Sequence, residues 1–197
     1  VYCLPPTGFA FKSLDEVLTD GEILRIVALM AQEGVSKVRV TGGEPLTRPG
    51  VAELIFRLIA VPGIQDVSLS TNGVLLSRMA QSLREAGLRR INISLDSLNS
   101  DRFKKVTRMG SVGDVFAGIY KALEAGFDPV KINMVVMRGM NDDEIGDFVQ
   151  LTRSLPVHVR FIELMPIGET GFFSKESWLP LEEIESRCGE LVPLACD

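Results

Sequence analysis

Cysteine is scarce in this chain. Cys3, Cys188 and Cys196 are the three present among 197 residues. They exclude a disulfide framework and make a reducing cytoplasm the simpler setting. No apolar run approaches the roughly 18 residues that a membrane span needs, and no basic-then-apolar leader opens the sequence. Positive charge is not in surplus either. A formal charge of −5 argues against general nucleic-acid binding but leaves room for a local cationic pocket. Internal repeats and low-complexity linkers are missing, so residues 1–197 read as a single domain. An initiator methionine is also missing. Val1-Tyr2-Cys3-Leu4-Pro5-Pro6 starts abruptly beside a cysteine, which predicts a piece of a longer protein.

What is present supports a packed core, with 46% hydrophobic and 24% charged residues. The most informative stretch is Val38-Arg39-Val40-Thr41-Gly42-Gly43-Glu44-Pro45. It reads as a short strand running into a turn whose glycines have no side chains. A ligand can approach that backbone closely, and the glycine carbonyls can accept hydrogen bonds from it. Glu44 adds a carboxylate, and Pro45 stiffens the exit. This polarity suits an amino group. It is opposite to a phosphate-cradling glycine loop, which presents N–H groups and usually a lysine. An ordinary strand-to-helix turn is the plain alternative.

Along the chain, Thr19 and Glu22 have capping-box spacing ahead of Ile23, Ile26, Val27 and Met30. Val51, Leu54, Ile55, Leu58 and Ile59 mark a second helix, halted at Pro62-Gly63. Further helices run through Met79 and Leu83, through Val115, Ile119 and Leu123, and through Ile145, Phe148 and Val149. Asn141 and Glu144 form the cap-and-N3 pair of the last of these. A glycine- and phenylalanine-containing loop, 168–177, precedes a final helix near Leu181–Arg187. Strand starts at 38, 67, 91, 130 and 157 are separated by 29, 24, 39 and 27 residues. That is the rhythm of β–α units, hence parallel strands with right-handed crossovers.

Parallel strands covered on both faces should be continuously apolar. These alternate instead: Val38/Val40 against Arg39/Thr41, Val67/Leu69 against Ser68/Ser70, Ile91/Ile93 against Asn92/Ser94. Val130/Ile132 against Lys131/Asn133 and Val157/Val159 against His158/Arg160 continue the pattern. A sheet curled into a barrel, with helices outside and a polar interior, accounts for it. Arg39, Lys131, His158 and Arg160 then face inward with no acid in the strands beside them. Converging cations imply an anionic ligand, phosphate above all. Asp96, Glu44 and Glu163 at the strand ends are the carboxylates that could instead neutralise them. Arg48 and Arg108, in loops, read as solvated.

Tyr2-Cys3, Gly42-Gly43-Glu44-Pro45, Ser70-Thr71-Asn72-Gly73 and Asn92-Ile93-Ser94-Leu95-Asp96 together resemble the radical S-adenosylmethionine (SAM) enzymes. Leu88-Arg89-Arg90-Ile91 and Arg160-Phe161-Ile162-Glu163-Leu164-Met165 are similar to the GTP 3′,8-cyclase (MoaA) family of molybdenum cofactor biosynthesis. Lys131, Asn133 and the turn Asn141-Asp142-Asp143-Glu144 add to the likeness, which runs from Tyr2 to about Gly168. The resemblance implies a partial (β/α)6 TIM-like barrel of the radical SAM type, its first strand missing. It also implies two 4Fe–4S clusters in the full-length family, with SAM bound to the first of them. Reductive cleavage of SAM there yields a 5′-deoxyadenosyl radical that abstracts hydrogen from C3′ of GTP, the activity of a lyase.

Carried over residue by residue, the resemblance makes Cys3 a cluster ligand and Tyr2 the aromatic beside the adenine. Gly42, Gly43 and Glu44 would receive the methionine amino group, Ser94 the methionine or ribose, and Met165 the adenine. Arg39 and Lys131 would hold the triphosphate, and Ser70 would contact GTP in place of the family's usual threonine. No residue is assigned to the chemical step itself, and His158 and Arg160 receive no role. The two cysteines that should precede Tyr2 and the C-terminal second-cluster region are absent, so the domain is expected to be incomplete and, alone, inactive. Cys188 and Cys196 do not match the second-cluster spacing and read as buried thiols. GTP is the expected partner, with neither nucleic acid nor membrane. The resemblance leaves room for a homodimer and for a downstream molybdopterin-pathway enzyme, in the cytoplasm. Two other readings compete: a peptide-modifying radical SAM maturase, and a non-catalytic barrel that binds a phosphorylated ligand.

Overall fold

The structure, a computed structural model, describes residues 16–108, 110–166 and 173–193. Tyr2, Cys3, Cys196 and residues 168–172 of the expected loop lie outside these. The described chain begins with α1 (Asp20–Gln32), entered through the Thr19–Glu22 capping box with both reciprocal bonds made. Then follow β1 (Lys37–Val40), α2 (Val51–Ile59), β2 (Asp66–Thr71), α3 (Leu76–Glu85) and β3 (Arg90–Ser94). The remainder is α4 (Ser100–Thr107), α5 (Val112–Glu124), β4 (Val130–Val136), α6 (Ile145–Ser154), β5 (Val157–Glu163) and α7 (Leu181–Arg187).

The five strands are parallel and lie in chain order, β1-β2-β3-β4-β5. That order decides the architecture. With no reversal of direction, right-handed crossovers place every helix on the same side, and the sheet curls instead of being covered twice. Val38 and Val40, Leu69, Ile91 and Ile93, Ile132 and Met134 turn to that side. There they pack against Ile55, Leu58, Leu76, Leu83, Ile119 and Phe148 in one contiguous core. The alternate residues form the polar face. β4 shows the period most cleanly, buried and half-buried residues alternating over its whole length. This is an α/β fold, a partial barrel of β–α units, with five strands among the described residues.

One helix went unread in the sequence. Asn99 caps α4 by accepting hydrogen bonds from the Asp101 and Arg102 amides, and Phe103 and Val106 bury its inner face. Two apolar residues on an eight-residue helix leave too little periodicity to recognise. The cap expected at Asn141 is a correction. Its side chain makes no capping bond. Instead Oδ1 accepts from the Met137 amide at 2.7 Å, while Nδ2 donates to the Asp96 carbonyl at 2.6 Å and the Val135 carbonyl at 2.9 Å. A buried amide that can satisfy three backbone groups, in the loop after β3, near the end of β4 and just beyond it, is worth more there than as a helix cap.

Close approach explains Gly118 on α5. A Cβ there would lie 2.6 Å from the Gly73 carbonyl oxygen, so α5 can seat on the turn before α3 only without a side chain. Gly146 on α6 has the opposite setting, with nothing among the described residues within 4 Å of its would-be Cβ. Gly146→Ala is therefore expected to stabilise the protein by about 0.5–1 kcal/mol through the unfolded chain's lost freedom, read as a raised urea midpoint at unchanged slope.

Candidate functional site

Strand register arranges the polar face in tiers. Lys37 lies beside Asp66; one step on, Arg39 neighbours Ser68, which neighbours Arg90. Above them run Ser70, Asn92, Lys131 and His158, and above those Ser94, Asn133 and Arg160. Every one of these side chains is on the same face because each sits an even number of residues from the next along its strand.

A concavity of about 350 Å³ opens on the lower tiers, lined by Lys37, Arg39, Asp66, Ser68, Arg90, Asn92, Lys131 and Arg160, with Val38 at its side. Arg39 and Lys131, singled out in the sequence, thus share one chamber, and Arg160 shares it with them. His158 is in the Lys131 tier but exposed, and it does not line the concavity. Ser70, half-buried beside Asn92, is not among the lining residues either. Lys131 reports the electrostatics. Burial pushes its ammonium below the ordinary lysine range, and Arg160, Arg90 and Arg39 push it further in that order, against a smaller pull from Asp66. Arg160 donates a long hydrogen bond to Asn92 Oδ1 at 3.4 Å, and Asn92 Nδ2 donates to the Leu69 carbonyl.

Three lining residues escaped the sequence reading, and one overturns it. Strands β1, β2 and β3 each begin one residue earlier than expected, at Lys37, Asp66 and Arg90. Asp66 is therefore an acid within the strands on the inward face, and it forms an ion pair with Arg90. Extending the period of two backward from Arg39, Ser68 and Asn92 would have found all three. Asp66 and Arg90 were passed over because charged residues at strand starts resemble loop residues.

The strand-end carboxylates serve backbone and neutral donors. Glu44 Oε1 accepts from Thr71 Oγ1 at 2.6 Å and from the Leu46 amide at 3.1 Å; Oε2 accepts from the Asn72 amide at 2.7 Å. It thereby ties the turn after β1 to the end of β2. Glu163 accepts from Trp178 Nε1 and from the Leu181 amide, fastening α7 against the exit of β5. Asp96 accepts from the Val135 amide at 2.9 Å. Arg48 is tied to Asp20 and the Leu18 carbonyl, a structural contact.

The remaining residues singled out for a cofactor stand at the C-terminal edge of the sheet. Gly42 and Gly43 follow β1, Ser94 ends β3, and Met165 lies two residues beyond β5. Gly42 has φ of +151°, where a side chain would be strained, and a Cβ at either glycine would meet nothing within 4 Å among the described residues. The backbone there is open to a ligand, Ser94 is exposed, and Met165 is 55% exposed. An exposed methionine at a strand exit is free to lie on a flat ring. This edge fits the amino-acid end and the adenine of SAM. A cluster is a different matter, because its one candidate ligand, Cys3, lies outside the described residues. Among the described residues no group of three or more His, Cys, Asp or Glu could hold a metal ion. No helix among them is long and apolar enough to cross a membrane.

Comparison with known proteins bears on this arrangement. The family described as the Radical SAM superfamily matches residues 1–152. A GTP 3′,8-cyclase of Alkaliphilus metalliredigens is 50% identical over 196 residues, covering 100% of this chain and 61% of that protein. A GTP 3′,8-cyclase of Moorella thermoacetica is 49% identical over 193 residues, covering 98% of this chain and 59% of the relative. The chain thus spans about three fifths of the length of these curated relatives. Among solved structures, HydG, a maturase of the FeFe-hydrogenase, aligns with a TM-score of 0.65 at 15% identity, covering 85% of this chain and 40% of that one. A domain of pyruvate-formate lyase-activating enzyme from Bacteroides vulgatus aligns at 0.60 and 23% identity, covering 78% of this chain and 91% of that one. At such identities the two structures speak to the fold alone.

Proposed function

The chain belongs to the radical SAM superfamily, and from that premise we propose that it is the barrel portion of a GTP 3′,8-cyclase. That lyase converts GTP to (8S)-3′,8-cyclo-7,8-dihydroguanosine 5′-triphosphate in molybdenum cofactor biosynthesis. The observation that carries the reading is one sheet with two unlike binding regions, a cation-lined chamber on its polar face and an exposed, side-chain-free glycine turn at its C-terminal edge. The first suits a triphosphate and the second an amino acid's ammonium, and SAM with GTP offers that pairing. Near-50% identity to GTP 3′,8-cyclases over almost the whole chain supports it.

In this reading Arg39 and Lys131 bind the phosphate tail and Ser70 contacts the nucleotide from the tier above Arg39. The carbonyls of Gly42 and Gly43 accept from the methionine ammonium. Glu44 braces that turn and, with a carboxylate's spare lone pairs, faces the same group. Ser94 bonds the methionine or ribose part, Met165 covers the adenine, Tyr2 flanks it, and Cys3 is a cluster ligand. SAM and a 4Fe–4S cluster supply the one-electron chemistry when bound. The chain's contribution is to hold the two ligands in adjacent tiers and keep water from the space between them. These residues belong to one radical SAM core domain, which we place in the cytoplasm, with room for a homodimer and for a downstream enzyme of the molybdopterin pathway.

The test is anaerobic expression of the complete gene, reconstitution of iron and sulfide, and addition of SAM, GTP and reductant. Formation of 5′-deoxyadenosine coupled to GTP consumption is the expected result. Its absence, or its formation without loss of GTP, overturns the proposal.

A further inference from the structure

Among the described residues five cations and one carboxylate line the chamber, and the carboxylate is the member out of place. Asp66 stands at the start of β2 and Arg90 at the start of β3, both on the inward face, and the Arg90 guanidinium closes on Asp66. Their side chains are 40% and 25% exposed, Arg90 first. Ion pairs this open to water add little to stability, so the fold has small use for it. Nor is the guanidinium fully used by Asp66. Arg90 Nη2 makes the bond, whereas Nε is buried with no hydrogen-bond partner among the described residues. A guanidinium offers five donors in a planar fork, so Arg90 keeps donors to spare beside the chamber.

We infer that Asp66 is a specificity-determining residue of the phosphate chamber, setting its net charge by cancelling Arg90. This rests on the reading of the chamber as the GTP site. The arithmetic is short: Lys37, Arg39, Arg90, Lys131 and Arg160 less Asp66 leave four positive charges. A nucleoside triphosphate carries about four negative charges near neutral pH, and bare inorganic triphosphate about the same number on a smaller ion with no sugar or base. A chamber with a fifth free cation would hold polyanions by charge alone, and the inorganic ion, free to settle against that cation, would gain more than a nucleotide whose phosphates are placed by its sugar and base. Lys131 already reflects the crowding, since Arg90 helps to depress its protonation while Asp66 opposes the effect. Asp66 thus limits attraction that is blind to sugar and base, and leaves those contacts to discriminate.

The experiment is calorimetric titration of the complete natural chain with GTP and, separately, with inorganic triphosphate, at low and at high salt. The proteins are the natural one, Asp66→Asn, Arg90→Gln and the double variant. Asp66→Asn is expected to tighten inorganic triphosphate by roughly three- to tenfold at low salt, and GTP by less. Arg90→Gln should weaken both by a similar factor, because Asp66 is left uncovered among the phosphates. In the double variant both affinities should return to about the natural values, and all differences should shrink at high salt. Opposite signs that cancel are not what a merely structural pair would show. The inference is overturned if Asp66→Asn binds triphosphate no tighter, or if the double variant loses as much as Arg90→Gln. If Asp66→Asn does not fold, Arg90→Gln decides: a loss that vanishes in high salt supports the inference, and a persistent loss or none overturns it. If the natural protein binds neither ligand, the GTP-site reading falls and the inference with it. If the natural protein binds GTP and the variants fail, the inference alone falls.

Discussion

Replacing Lys131 by alanine is expected to weaken GTP binding by about 100-fold without lowering the melting temperature. A lysine–phosphate contact in a half-buried chamber is charge-assisted and little screened, on the order of 2–3 kcal/mol. In the free protein the same ammonium is a liability. Burial and the neighbouring cations Arg160, Arg90 and Arg39 disfavour its charge, so its pKa is lower folded than unfolded. The unfolded chain therefore binds more protons between the folded pKa and the ordinary 10.5. The penalty is present at neutral pH and is relieved as pH rises through that window. Alanine removes it, while phosphate offsets it. GTP affinity should accordingly fall as pH rises through that window, as Lys131 loses its proton. Lys131→Arg should flatten that limb, because a guanidinium stays charged throughout. Calorimetry with thermal melts at neutral and alkaline pH checks both statements. Equal GTP affinity in the natural protein and Lys131→Ala would remove Lys131 from the site.

Glu44→Ala should reduce SAM affinity by about 30- to 100-fold and lower stability by about 2–3 kcal/mol. The carboxylate takes three donors from two segments, Thr71 Oγ1, the Asn72 amide and the Leu46 amide. Removing it strands the part-buried Thr71 and Leu46 donors, leaves the exposed Asn72 amide to water, and frees the turn that carries Gly42 and Gly43. Glu44→Gln is the sharper probe. It keeps the volume and an oxygen that can still accept from Thr71 Oγ1 and the Leu46 amide, while its N–H₂ replaces the oxygen serving the exposed Asn72 amide. A carboxylate that only braces would show a fall in melting temperature and SAM affinity together, rescued in part by glutamine. One that also receives the ammonium would lose SAM affinity even in a glutamine variant whose melting temperature is nearly natural. An unchanged SAM affinity in Glu44→Ala would mean that the glycine turn is not where the cofactor sits.

Much of the fold was legible beforehand. The alternation on all five strands required a single polar face, and the spacing of strand starts required crossovers between them. Both are local periodicities, written into consecutive residues. The Thr19–Glu22 box and the bounds of α7, Leu181–Arg187, were equally readable, since caps and turns depend on residues three or four apart. The misreadings share one cause. Asn141 looks like a helix cap until the two loops it joins are seen together. Asp66 and Arg90 look like loop charges until the strands are laid side by side. The bracing contacts of Glu44, a separate matter from its expected role toward the ammonium, likewise show only once the end of β2 lies beside it.

By itself, then, the amino-acid order determined which side of each strand is polar and where cations and glycines would fall along it. Only the assembled sheet decided which of those groups meet: Arg39 with Lys131 and Arg160, Arg90 with Asp66, Glu44 with Thr71. The physical reason is that side-chain direction within a strand follows from a period of two, whereas neighbours across strands follow from register. Register in turn is settled by how the helices pack on the far side.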